Sequence, residues 1–141
     1  MKKSILTLAV FISLMANAQE LPKNFNELVK NIEPQLIGWR HHFHEFPELS
    51  NREFNTGKYI ADYLRSIGLD VKHPIAKTGV VAILKGNKPG PVIGLRADID
   101  ALPVAERAPI AFASKVKAEY NGQQVSVMHA CGHDAHTAIL M

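Results

Sequence analysis

The chain has 141 residues, 47% of them hydrophobic and 21% charged, with a formal net charge of +3. That balance belongs to a globular chain of ordinary domain size and excludes a disordered tract. Without Lys2 and Lys3 the charge falls from +3 to +1, so nothing in it calls for nucleic acid or an anionic membrane as partner. In chain order, Lys2-Lys3, the apolar run Ile5 to Met15 and Ala16-Asn17-Ala18 read as the three regions of a secretory signal peptide, cleaved before Gln19. The apolar run is about half the roughly 20 residues that span a bilayer, so no stable membrane anchor is expected. Export to the periplasm or the medium follows, and a single cysteine, Cys131, then has no intrachain disulfide partner.

Asn24 is positioned to cap a helix whose apolar residues Phe25, Leu28, Val29, Ile32, Leu36 and Trp39 recur at helical spacing. Pro34 predicts a kink or break near Glu33, and Pro47 predicts an end by Phe46. Ser50-Asn51-Arg52-Glu53 has the form of a capping box for a second helix over about 52–67, with Phe54, Tyr59, Ile60, Tyr63, Leu64 and Ile67 on one stripe and Gly68 as its C-terminal cap. Leu69-Asp70-Val71 reads as a short strand. Val80–Leu84 reads as a buried strand that pairs in a hairpin with Val92–Leu95 through the turn cluster Gly86–Gly90. Arg96-Ala97-Asp98-Ile99-Asp100 then leaves the end of that strand, where α/β folds commonly present functional side chains. The stretch 104–127 reads as a long irregular connection, with a short strand at Val125–Met128. Asp134 is positioned to cap a last helix, which stops after about two turns within an apolar run; this predicts a chain cut within a longer sequence.

The chemistry concentrates in Met128-His129-Ala130-Cys131-Gly132-His133-Asp134. Cys-x-His places a thiol and an imidazole on one side of an extended backbone. These donors suit a zinc-like divalent ion, although a mononuclear site needs three or four. Cys131 beside Gly132 and His133 is better read as a ligand than as a small buried hydrophobe. His136 stands three residues from His133, on the same helical face, and is read as a hydrogen-bonding or surface residue.

Together with Arg40-His41-His42-Phe43-His44-Glu45-Phe46-Pro47-Glu48-Leu49 and Arg96–Pro103, this block resembles the N-terminal part of the dinuclear-metal aminoacylase/carboxypeptidase family. The similar branch contains hippurate hydrolases, indole-acetyl-amino-acid hydrolases and N-acetyldiaminopimelate deacetylases, and the resemblance runs from about Asn24 to Met141. It implies an α/β fold: the N-terminal part of a metallopeptidase-like catalytic domain with a central sheet flanked by helices, residues 19–141 holding only a truncated portion and no lid domain. It also implies hydrolysis of the amide bond of N-acyl amino acids or small peptides by two divalent ions (Zn, Mn, Co or Ni), in a protein able to form homo-oligomers.

Cys131 and His133 carry over as metal ligands. The other ligands and the general-base glutamate, in a Glu-Glu pair, are expected in later segments, so this chain holds no catalytic base. The family's peptidase branch has His-x-Asp where this chain has Asp98-Ile99-Asp100. Asp100 is read as hydrogen-bonding a metal-bound histidine, and Asp98 equally as that or as a local backbone cap. His41 replaces the family's second arginine. His44 and Glu48 imitate a metal-binding pair but are read as structural. The alternative is a truncated, non-catalytic chain that binds metal weakly or not at all.

Overall fold

A computed structural model describes residues 21–141; segment 1–18, expected to be a signal peptide, lies outside them. Three helices, α1 (Phe25–Glu45), α2 (Phe54–Ser66) and α3 (His133–Leu140), alternate with four strands, β1 (Asp70–Ile75), β2 (Gly79–Ile83), β3 (Lys117–Tyr120) and β4 (Gln123–Ser126). The α/β class is as the sequence implies, but the described strands form two separate antiparallel pairs, β1–β2 and β3–β4, in place of one central sheet.

Helix α1 runs through Pro34 without a break, which leaves a kink as the remaining form of the expected irregularity. Proline removes one amide donor and frees one carbonyl. Here residues 30–35 are all exposed, so solvent can reach the freed carbonyl. Asn24 precedes the helix without a side-chain cap bond. Only the last turns of α1 are buried: Trp39 and Phe43 pack with Ile60 of α2 and Ala138 of α3. Leu28, Val29 and Ile32, on the expected stripe, are exposed.

Helix α2 ends as its sequence dictates. Gly68 adopts φ +87°, and its amide and that of Leu69 bond back to Arg65 O (2.9 Å) and Leu64 O (3.1 Å), the paired closure that a left-handed glycine permits. Its start differs from the expected capping box. Glu48 accepts the amides of Asn55 (3.2 Å) and Thr56 (2.8 Å), while Glu53 turns to Asn51 N and the Thr78 hydroxyl. The buried stripe is also shifted. Thr56, Gly57, Ile60 and Ala61 face inward, and Phe54 and Ile67 are exposed. Gly57 lets the helix touch the β1–β2 turn: a Cβ there would lie 2.4 Å from Thr78 O.

The expected hairpin partner of β2 is corrected. β2 pairs with β1, in the register Asp70↔Ile83 to Ile75↔Gly79, and Val92–Leu95 forms no strand. Sequence-adjacent strands commonly pair through a short turn, and β1 and β2 are joined by residues 76–78 alone. The stretch 104–127 contains the second hairpin, β3–β4, closed by Asn121 (φ 51°) and Gly122 (φ 76°).

Three chain segments far apart in sequence are joined by short backbone bridges. Ala101 N donates to Glu48 O (2.8 Å), and Leu102 and Met128 exchange two bonds of 3.0 and 3.1 Å. Leu49, Ala101 and Val127 bury themselves at this seam. The three motif blocks of the sequence therefore meet in one place.

Candidate metal centre

The seam delivers Asp98-Ile99-Asp100 to the N-terminus of α3. His133 is the first residue of that helix, and its Nδ1 lies 2.9 Å from the backbone oxygen of Asp100 and 3.0 Å from its carboxylate. Two acceptors at Nδ1 put the ring proton there and leave the lone pair on Nε2, the arrangement by which carboxylates orient metal-binding histidines. Both side chains are partly buried, at 18% and 24% exposure. Such a site keeps a path to solvent.

Cys131 is exposed and free, two residues before His133. Gly132 between them takes φ +83°, a conformation nearly free of cost only for glycine. It lets the chain turn from the Met128 bridge into α3.

Asp98 is turned elsewhere. Its carboxylate accepts Arg96 Nε (2.9 Å) and Nη2 (2.6 Å), and this arginine holds the carboxyl below its usual range. Its backbone oxygen takes the Thr137 hydroxyl at 3.0 Å, tying the strand end to α3. Asp98 thus meets α3 through its main chain, and Asp100 through its carboxylate.

Asp134 does not cap α3, whose N-cap is Gly132 with no side-chain bond. Its carboxylate, 3% exposed, reaches across to α1, 2.9 Å from His44 Nδ1 and 3.5 Å from Arg40 Nε. His44 Nε2 in turn lies 2.7 Å from Glu106. Phe112 covers this group, stacked on His41 at 3.7 Å and edge-on to His44 at 5.6 Å. Sequence reasoning missed Glu106; it has no periodic or motif signal, and only the fold brings it to His44, 62 positions away.

His129 is buried, and neither ring nitrogen has a hydrogen-bond partner among the described residues. Burial is the main cause that lowers its pKa to about 4, opposed by the Asp134 carboxylate. It stands as a neutral imidazole with unmatched polar atoms beside the Cys-x-His pair. His133 and His136 have ring centroids 6.4 Å apart, and His136 is exposed.

The donors present are therefore a thiol and an oriented imidazole, a fit to borderline divalent cations such as Zn²⁺ or Co²⁺. Among the described residues no group of three or more His, Cys, Asp or Glu side chains is arranged to hold an ion.

Residues 94–141 match the family described as peptidase family M20/M25/M40. Thermostable carboxypeptidase 1 of Saccharolobus solfataricus is 44% identical over 123 residues, covering 86% of this chain and 29% of that protein. N-acetyl-L-cysteine deacetylase of Bacillus subtilis is 46% identical, over 80% of this chain and 25% of the relative. N-acyl-L-amino acid amidohydrolase of Geobacillus stearothermophilus is 42% identical, over 84% and 30%. Among solved structures, the Bacillus subtilis YXEP protein, described as a dinuclear metal binding peptidase from the M20 family, superposes with a TM-score of 0.68. It is 46% identical, over 77% of this chain and 28% of that one. The chain spans less than a third of the length of these relatives.

Proposed function

Because the chain belongs to peptidase family M20/M25/M40, we propose that the protein carrying it is a metal-dependent amidohydrolase. It cleaves the amide bond of N-acyl amino acids or small peptides, with Cys131 and His133 as two of the ligands of a pair of divalent ions. One observation carries this reading. The Asp100 carboxylate and carbonyl both engage Nδ1 of His133, which frees Nε2 as a donor two residues from the only thiol of the chain. Relatives named N-acetyl-L-cysteine deacetylase and N-acyl-L-amino acid amidohydrolase support the substrate class.

When bound, the ion pair supplies Lewis acidity toward a carbonyl and a water molecule. The residues of this chain do the holding. Cys131 as thiolate contributes negative charge, His133 contributes a neutral lone pair, and Asp100 keeps that imidazole in the right tautomer and orientation. In this reading the remaining ligands, and a glutamate that would move the proton between water and leaving amine, are supplied from outside residues 21–141. The two divalent ions are drawn, in the same reading, from Zn, Mn, Co or Ni, and residues 1–18 direct export to the periplasm or medium and are removed before Gln19.

Release of free amino acid from N-acetyl and N-benzoyl substrates, with and without added Zn²⁺ or Mn²⁺, tests the proposal. Metal-dependent turnover is expected of the full-length protein and none of the 141-residue chain by itself, and in the full-length protein Cys131→Ala should lose both turnover and bound metal. A Cys131→Ala protein with normal metal content and activity refutes the ligand assignment. N-terminal sequencing of the exported protein tests the leader, and an intact Met1 would contradict it.

A further inference from the structure

The first turn of α3 is pinned from two sides. His133 is held by Asp100, and its neighbour Asp134 is held by His44 of α1. Neighbouring residues on a helix point about 100° apart, so the two contacts oppose rotation of the turn in different directions. Gly132, at the N-cap, supplies no side-chain cap to the helix start.

His44 lies in the centre of this arrangement. Its side chain is 7% exposed, and each ring nitrogen faces a carboxylate oxygen, Asp134 Oδ2 at 2.9 Å and Glu106 Oε2 at 2.7 Å. A neutral imidazole carries a single N–H, so the two lines together require a second proton within the Glu106–His44–Asp134 group. Arg40, 3.5 Å from Asp134, adds positive charge on the same side. A buried carboxylate stripped of such partners is strongly unfavourable, and Asp134 would have to turn toward water. That turn would disturb the start of α3, where Asp134 sits one residue from His133 and one turn ahead of the Thr137–Asp98 O tie.

We propose that His44 is a positioning residue for the metal centre: by bridging Glu106 and Asp134 it fixes where α3 begins, and with it the backbone that presents Cys131 and His133. This rests on the ligand assignment made above for Cys131 and His133. It gives the His-x-x-x-Glu spacing of the first motif two separate jobs. His44 serves the start of α3, and Glu48 serves the start of α2.

The test uses the metal-binding protein and four variants, His44→Gln, Glu106→Gln, Cys131→Ser and Gly57→Ala. Zn²⁺ affinity is read by competition with a chromophoric chelator, and the geometry of the site by the visible d–d bands of the Co²⁺-loaded protein. His44→Gln should weaken Zn²⁺ binding about tenfold, the lower bound for loss of a group that orients ligands, and shift the Co²⁺ bands. Glu106→Gln should act in the same direction and more weakly. Gly57→Ala, destabilised by its clash with Thr78 O at the β1–β2 turn, should leave affinity and bands unchanged. Wild-type affinity and bands in His44→Gln overturn the proposal, as does an equal loss in Gly57→Ala. If His44→Gln does not fold, Glu106→Gln decides, and unchanged values there overturn it. Cys131→Ser separates the two claims. Wild-type affinity in that variant defeats the ligand assignment itself, whereas loss there without loss in His44→Gln defeats the role of His44 alone.

Discussion

Replacing Asp100 by alanine removes one of two acceptors on His133 Nδ1. The carboxylate at 3.0 Å is lost and the backbone oxygen at 2.9 Å stays, so the ring keeps its tautomer and most of its orientation. Loss of a carboxylate that orients a metal-binding histidine costs ten- to hundredfold in metal affinity. The surviving carbonyl and the 24% exposure of Asp100 put this case at the lower end. We expect about tenfold weaker Zn²⁺ binding, or about 1.4 kcal/mol, measured by chelator competition at fixed pH and salt. Asp98→Ala in the same assay should stay within about twofold of wild type, because that carboxylate is spent on exposed Arg96. Wild-type affinity in Asp100→Ala refutes the orienting role. A loss far beyond a hundredfold refutes it too, since that is the signature of a direct ligand.

Glu48→Ala should destabilise the fold by about 1 kcal/mol, the worth of a helix cap, because it strips two amides of α2 of their acceptor; denaturant titration reads this, with Zn²⁺ affinity unchanged. Phe43→Ala, at a site 2% exposed between three helices, should cost about 3–5 kcal/mol in the same titration. Burial against Tyr59 and Phe43 lowers the His42 pKa, with Glu45 opposing. The unfolded chain therefore takes up this proton at higher pH than the folded one. The contribution of His42 is complete above the ordinary histidine range and declines as pH falls through it. His42→Phe should flatten the fall in denaturation midpoint between pH 7 and 5, and an unchanged slope would contradict the assignment.

Local signals in the sequence translated well where a local cause dominates. Gly68 ends α2 because a left-handed residue is needed there, and Trp39 lies on the inward face that its spacing indicates. Asp100 beside His133 was legible from motif resemblance, since the bridge that joins them spans 33 positions. The β3–β4 hairpin has a local cause as well: Asn121-Gly122, both at positive φ, is the strongest two-residue hairpin turn. Other features had no local cause. The acidic cap of α2 comes from Glu48, outside the capping box, because Glu53 is drawn to Thr78. Asp134 leaves its own helix for His44, 90 positions away. Val92–Leu95 has the composition of a buried strand, yet Val92 and Ile93 are exposed; strand composition states a need for neighbours without naming them.

The central claim is that Cys131 and His133 are metal ligands, and the near-ultraviolet spectrum of the Co²⁺-loaded protein tests it most directly. Cys131 is the only cysteine of the chain, and a thiolate–cobalt bond gives a charge-transfer band that carboxylates and imidazoles do not. The account predicts this band in the wild type, its loss in Cys131→Ser, and weaker loading with altered visible bands in His133→Ala. Stoichiometric Co²⁺ binding without the band, or a band that persists in Cys131→Ser, would contradict it.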